Sequence, residues 1–418
     1  MIRAILALTL IHEYVFANDL GQFDREGSSH AMQTIHLTPQ FYPQLGSERV
    51  KVEYGAYEIP SRSVDNGMRH IRSRIDPPCT TCLVTWMRAQ LEYENGITAD
   101  AKTGAWMHHV VFRNVGKNDS VCSEMQGQRF FASGNERTPV DLTKSGTAKT
   151  GYHIASGDRI SFAGELMNLR DTSQRVIFSM VWEYIPSIPS GFEEAIPYWL
   201  DIGGCSDSNK PAKQGIEFSY ISPTLNLNFN GRVAFVGGHL HDGGTRLEIF
   251  RNDRIVCVAT ADYSSVEVSA LKLEHISSIS GCQDVSMVEP GDKWHLMAHY
   301  DTIQHAPMFS NDGTLEPVMG IALAYVVKDP LPSYPGGRLW LAALIVLVLF
   351  SGTSAAYIIL RGHRTSWKLW KPQCKGIRQA VQSSDPNEEE AAGESSPLFT
   401  LTRRSFGQDG FVSQNGSS

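Results

Sequence analysis

Helical periodicity is almost missing from this chain of 418 residues. Apolar residues rarely recur at the three- and four-residue spacing that gives a helix one buried face, which excludes an α-helical bundle. A basic block is missing too. Lys and Arg number 37 against 44 Asp and Glu, for a formal net charge of −7, and no stretch before residue 330 is cationic enough to neutralise a phosphate backbone. That excludes a nucleic-acid partner. Cys79 and Cys82 have the spacing of metal ligands, but no second such pair follows to complete a tetrahedral zinc site. No internal repeat is visible.

Charge is absent from one further place, residues 339–360, a run of about 22 uncharged positions, long enough at 1.5 Å per residue to cross a hydrocarbon core of about 30 Å. It reads as a transmembrane helix. Arg361, Arg364, Lys368, Lys371 and Lys375 follow it and only Arg338 precedes it, so the positive-inside bias places the C-terminus in the cytosol. Arg3, the apolar stretch 4–11 and Val15-Phe16-Ala17 read as a secretory signal peptide over residues 1–17. The expected protein is therefore single-pass type I, anchored in membrane lipid, with an extracellular or lumenal ectodomain. Beyond Lys375 the Ser-, Gln- and Glu-rich tail, within 361–418, lacks apolar periodicity and reads as disordered.

The ectodomain is rich in short alternating or β-branched runs bounded by Gly, Asn, Asp and Pro. Strands are expected at 50–57, 81–91, 106–113, 159–166, 175–184, 232–236, 245–251, 255–260, 293–300 and 320–327, with a hairpin turn at Asn252-Asp253. The fold class is all-β. At roughly 320 residues the ectodomain exceeds what one core comfortably serves, and the proline-rich break at 185–191 divides it into 18–186 and 187–335. Cys79, Cys82, Cys122, Cys205, Cys257 and Cys282 are even in number and suit disulfides in an oxidising compartment, while Cys374 falls in the tail. Asn118-Asp119-Ser120 is a glycosylation sequon in a polar turn.

Three histidine groupings could carry chemistry. His108 and His109 open an apolar strand. Neighbours on a regular strand point to opposite faces, so both rings reach one metal only at a strand end or a bulge; taken alone, the pair reads as one buried and one exposed histidine. His239 and His241, in Gly237-Gly238-His239-Leu240-His241-Asp242-Gly243-Gly244, lie two apart and so on one face. That spacing chelates naturally, imidazole suits copper, zinc, iron or nickel, and Asp242 is placed to orient a ring. His295, Met297 and His299 also share a face, although most alternating runs simply set core against solvent.

In this order, with Met319 opening the last strand, the features resemble the copper type II, ascorbate-dependent monooxygenases such as peptidylglycine alpha-hydroxylating monooxygenase. Met107-His108-His109-Val110-Val111 and the glycine-flanked His-Leu-His resemble the stress-up-regulated nodulin family more closely still. The resemblance covers most of residues 34–328. It implies a jelly-roll-type β-sandwich in each half and two copper ions, one per half: His239, His241 and Met319 would hold the copper that meets dioxygen, and His108 and His109 the electron-transfer copper. The third histidine of that second site has no counterpart here. Met167 or Asn168 stands at its position, with His153 as the alternative if the chain folds back.

The expected function is that of a membrane-anchored copper-binding protein, and beyond that a hydroxylating monooxygenase using dioxygen and an external reductant on a small-molecule or peptide substrate. The alternative is a non-catalytic metal-binding, stress-response or interaction ectodomain.

Overall fold

The computed structural model describes residues 33–268, 271–310 and 312–330. The expected signal peptide 1–17, the apolar segment 339–360, the tail expected in the cytosol and Cys374 lie outside the described residues, and among those described no helix is long and apolar enough to cross a membrane.

The chain is all-β. Its first ten strands are β1 (Gln33–Leu37), β2 (Glu48–Ile59), β3 (Met68–Ile75), β4 (Cys82–Tyr93), β5 (Ala105–Asn114), β6 (Gln128–Gly134), β7 (Val140–Asp141), β8 (Thr150–Ile154), β9 (Ile160–Asn168) and β10 (Gln174–Ile185). The second ten are β11 (Glu193–Asp201), β12 (Glu217–Ile221), β13 (Leu225–Leu227), β14 (Gly231–Leu240), β15 (Gly244–Arg251), β16 (Arg254–Val268), β17 (Leu271–Ile279), β18 (Cys282–Val288), β19 (Asp292–Asp301) and β20 (Gly320–Lys328). Each of the ten expected strands is present, and Asn252 and Asp253 turn the β15–β16 hairpin with φ of 49° and 64°. Both short polar residues tolerate that left-handed conformation.

A ten-stranded sheet runs β1-β2-β10-β4-β8-β11-β20-β14-β18, with β7 on β4. It joins the first half to the second where β8 and β11 pair in parallel, Thr150 beside Glu193. A four-stranded sheet, β3-β9-β5-β6, belongs to the first half, and a six-stranded one, β12-β19-β15-β16-β17 with β13 on β19, to the second.

Burial follows the strand period. On β19, Trp294, Leu296, Ala298 and Tyr300 are buried while Lys293, His295, Met297 and His299 look outward. β20 is different, apolar and buried on both faces. Ile321, Leu323, Tyr325 and Val327 enter the core built on β2, β4, β5, β9 and β10, whereas Ala322, Ala324 and Val326 enter a second core with β14, β15 and β19. One strand thus walls two cores, and each large side chain fully buried there stabilises by about 1.5–3 kcal/mol.

The halves are bound together along β6 and the connection after it. The Tyr325 hydroxyl donates to the Phe130 carbonyl, the Asn135 amide to the Ile276 carbonyl at 2.8 Å and the Thr138 hydroxyl to the Ile279 carbonyl at 2.7 Å. The cysteines form the disulfides Cys79–Cys82, Cys122–Cys205 and Cys257–Cys282. The second of these ties the β5–β6 connection to the segment after β11.

Candidate metal centre

β5 meets β9 with a register shift between Met107 and His109, so that His108 is the extra residue of a bulge. A bulge re-aims a side chain, and here it brings the His108 and His109 rings to 5.1 Å apart rather than onto opposite faces. His239 lies on β14 and His241 just past its end, their rings 5.4 Å apart. Between these strands lies Gly134, at the end of β6. A Cβ there would stand 2.6 Å from the His108 carbonyl oxygen and 2.8 Å from His239 Cε1, so only glycine lets the histidine-bearing segments approach.

The two pairs, expected on separate halves, converge. His108 and His241 are 4.4 Å apart ring to ring, and His109 is 6.1 Å from both His239 and His241. His108, His109 and His241 each present a nitrogen within 4.8 Å of the others, close enough to share a metal ion. His239 adjoins them.

Each ring is held from behind. His108 Nδ1 donates to Glu165 Oε2 at 3.1 Å, His239 Nδ1 to Glu136 Oε1 at 3.0 Å, and His241 Nδ1 to the Pro317 carbonyl at 2.8 Å. Fixing the proton on Nδ1 leaves Nε2 as the lone-pair donor. Nε2 of His108, His239 and His241 and Nδ1 of His109 are all buried without a hydrogen-bond partner. Buried polar atoms are seldom left so, and those of His108, His109 and His241, drawn together, are what a metal ion would satisfy.

The electrostatics favour the neutral rings a metal requires. Burial, against a weaker pull from Glu165, holds His109 down at about 3. Burial, helped by the neighbouring imidazoles, drives His241 well below its ordinary value. Glu165 gathers three histidines, with His70 Nδ1 at 3.2 Å, His108 at 3.1 Å and His109 at 3.7 Å. Burial opposes its charge, but hydrogen bonds from His108 and His70 outweigh that and keep its carboxyl far below the usual range.

Met319 follows Val318, which is bridged to Lys210. Its carbonyl accepts the His241 N–H at 3.2 Å and its side chain packs on the first core. Met167 is buried across from Trp106, in an apolar cluster with Leu169. Asn168 is also buried and donates to the Pro60 and Thr172 carbonyls. His153 sits on β8 opposite Leu83 of β4, where its carbonyl takes a hydrogen bond from Lys117. Asn118 precedes Asp119, whose carboxylate clamps Arg129.

Two curated relatives settle the kinship. The probable copper-dependent oxygenase M1 of Phoma sp. is 41% identical over 345 residues, 81% of this chain and 88% of that protein. The probable copper-dependent oxygenase clz3 of Cochliobolus lunatus is 41% identical over 303 residues, 71% of this chain and 96% of that one. The chain belongs to the family of these probable copper-dependent oxygenases. No family profile matches it, and its likeness to the glycosylasparaginase PNGase F of Flavobacterium meningosepticum, at 10% identity and a TM-score of 0.35 over 72% of this chain and 96% of that one, carries no argument. In a copper-dependent oxygenase family the all-imidazole donor set is chemically apt, since imidazole serves both common copper oxidation states.

Glu165, Glu136 and His70 were not legible as parts of this centre. Each is a lone polar residue in a strand or turn, and only the β5–β9 register and the approach of β6 to β14 bring them to the rings. Asp242 does orient an imidazole, but that of His275, at 2.6 Å, rather than one of its neighbours.

Proposed function

We propose that the protein is a copper-dependent oxygenase whose copper is held by His108, His109 and His241, with His239 alongside, and which inserts oxygen into a C–H bond at the expense of dioxygen and an external reductant such as ascorbate. The observation that carries this reading is the convergence of the His108, His109 and His241 nitrogens, with the buried, unpartnered Nε2 of His239 beside them, in a member of the copper-dependent oxygenase family. Bound copper supplies the one-electron chemistry that makes dioxygen reactive. The protein's own residues do the rest. Glu165, Glu136 and the Pro317 carbonyl hold Nδ1 protons and so keep three Nε2 lone pairs directed inward. Burial keeps His109 and His241 neutral and excludes bulk water. Glu165 and Glu136 place negative charge behind the rings, which offsets that of a cation.

Two cores sharing one sheet support two jelly-roll-type sandwich domains, 18–186 and 187–335. The uncharged segment 339–360 with its trailing cations supports a membrane-anchored ectodomain, and three disulfides support an oxidising compartment for it.

Oxygen uptake tests the reading directly. The copper-loaded chain with ascorbate is expected to consume oxygen, and His241→Ala to abolish the consumption. Copper-dependent uptake that survives this substitution overturns the site.

A further inference from the structure

Strand β3 reads Met-Arg-His-Ile-Arg-Ser-Arg-Ile, with three arginines, a histidine and no acid, in a chain whose acids outnumber its cations. It forms one edge of the four-stranded sheet, beside β9. Ile71 and Ile75 are buried on its inner side, so His70, Arg72 and Arg74 share the outer, exposed face. Their cross-strand neighbours on β9 are Glu165, Ala163 and Ser161, and the next positions on β5 are His109, Val111 and Arg113. Exposed Ala163 and half-buried Val111 are short, so the face is low between the arginines of β3 and β5. Arg113 adds surplus positive charge, since the Asp119 carboxylate near it already pairs with Arg129 at 2.8 Å.

This face is joined to the metal centre from behind. The His70 side chain is 65% exposed and sets Nδ1 on Glu165 Oε1 at 3.2 Å, while Glu165 Oε2 takes the His108 Nδ1 proton at 3.1 Å. One carboxylate thus links a surface ring to a metal-ligating ring. The nitrogen that His108 offers to a metal is Nε2, on the other side of the imidazole from Glu165. A molecule seated at His70 is therefore separated from the metal by Glu165 and the His108 ring. That position does not serve a substrate, whose C–H bond must meet the metal's oxygen. It does serve an electron donor, which needs only a bonded path to a ligand.

We propose that the exposed face of β3, with His70, Arg72 and Arg74, is the docking site of the external reductant, and that it takes a small organic anion of the enediolate class, to which ascorbate belongs. Alternate residues on a strand lie about 7 Å apart, the width of a single five-membered ring with its oxygens. A guanidinium carries five N–H donors and no acceptor, so it meets enediolate oxygens even when another group holds part of the fork. The proposal rests on the oxygenase reading for the need of a reductant.

The test uses the full-length chain under anaerobic conditions. Calorimetric titration of ascorbate into the metal-free chain is expected to show saturable binding that weakens as salt rises. Arg72→Gln combined with Arg74→Gln, at two exposed positions of a sheet edge, should weaken it about tenfold. In the Cu(II)-loaded chain each ascorbate gives one electron to Cu(II) and one proton to water, followed as loss of the Cu(II) electron paramagnetic resonance signal. The double variant should slow that loss about tenfold, whereas copper affinity and the rate with uncharged hydroquinone should change less than ~2-fold. Absence of saturable binding to the metal-free chain, an ascorbate rate unchanged in the double variant, or an equal slowing with hydroquinone overturns the docking site. If the histidines take up no copper, the oxygenase reading fails by itself, and titration of the metal-free chain and its double variant still decides whether this face binds the anion.

Discussion

His239 on β14 with His241 just past its end, and His295 and His299 on β19, are spaced in the same alternating way along the chain, yet they end in different circumstances. The β19 rings face outward and are engaged. His295 stacks on Phe250 at 4.6 Å, while His299 meets the Ser219 hydroxyl through Nδ1 at 3.1 Å and sets Nε2 against the Glu248 carboxylate at 3.0 Å, without the alignment of a hydrogen bond. The β14 rings are buried, engaged at Nδ1 only, and keep Nε2 without a partner. Strand spacing therefore makes a chelate available. What selects one is the convergence of several desolvated rings, whereas His299 Nε2 faces only a carboxylate.

The largest break in this comparison comes from removing a convergent ring. His108→Ala takes away one of three nitrogens lying within 4.8 Å of each other and is expected to lower copper affinity by at least ~100-fold, since loss of a mere supporting partner already costs 10–100-fold. Competition with a copper chelator measures it. Copper bound as tightly as in the unaltered chain would mean that the metal lies elsewhere.

Next in size is the support behind the rings. Glu165→Gln keeps the shape but gives up the carboxylate that accepts from His108 and His70. Copper affinity should fall by ~10–100-fold, and the copper electron paramagnetic resonance spectrum should broaden as the His108 ring loses its fixed tautomer. Unchanged affinity would reduce Glu165 to a structural role.

How far such a centre can be read from the sequence depends on which contacts are local. All ten expected strands formed, because alternation and turn residues act within a strand. The His108–His109 pair was legible only as a question, and the answer, a bulge at His108, lies in pairing with β9. Glu165 gave no signal, since its partner His109 is 56 positions away in sequence and a single acidic residue on a strand ordinarily faces solvent. The convergence of the two histidine pairs was hidden for a like reason. It depends on Gly134 and on β6 lying against the second half of the great sheet, neither of which has a periodicity. Met167, expected at the place of a missing third histidine, is apolar packing around Trp106, while the carboxylate two positions before it supports the rings instead.

A moderate effect is expected from acid. His109 is held at about 3 in the folded chain against an ordinary value of about 6.5 in the unfolded one. The unfolded state therefore binds more protons through that window, and stability falls as pH drops from 6.5 towards 3, by up to ~1.4 kcal/mol per pH unit from this group. The contribution is full above pH 6.5. Thermal unfolding of the metal-free chain between pH 6.5 and 4.5 checks the sign, and His109→Gln should flatten the slope by that share. An unchanged slope would show that the ring is already solvated when metal is absent.

The smallest effect belongs to β19 and guards the whole contrast. His299→Ala removes a partly exposed imidazole that meets Ser219 and faces Glu248, and Arg246 Nε still holds Glu248 at 2.8 Å. Copper affinity should change less than ~2-fold, and stability by no more than the ~0.5 kcal/mol usual for surface substitutions. The same strand face carries Met297, a soft ligand by chemistry, and His295, so a copper ion bound there would be felt at once in this variant. A loss of copper in His299→Ala as large as in His108→Ala would mean that spacing, and not the convergence of buried rings, chooses the site.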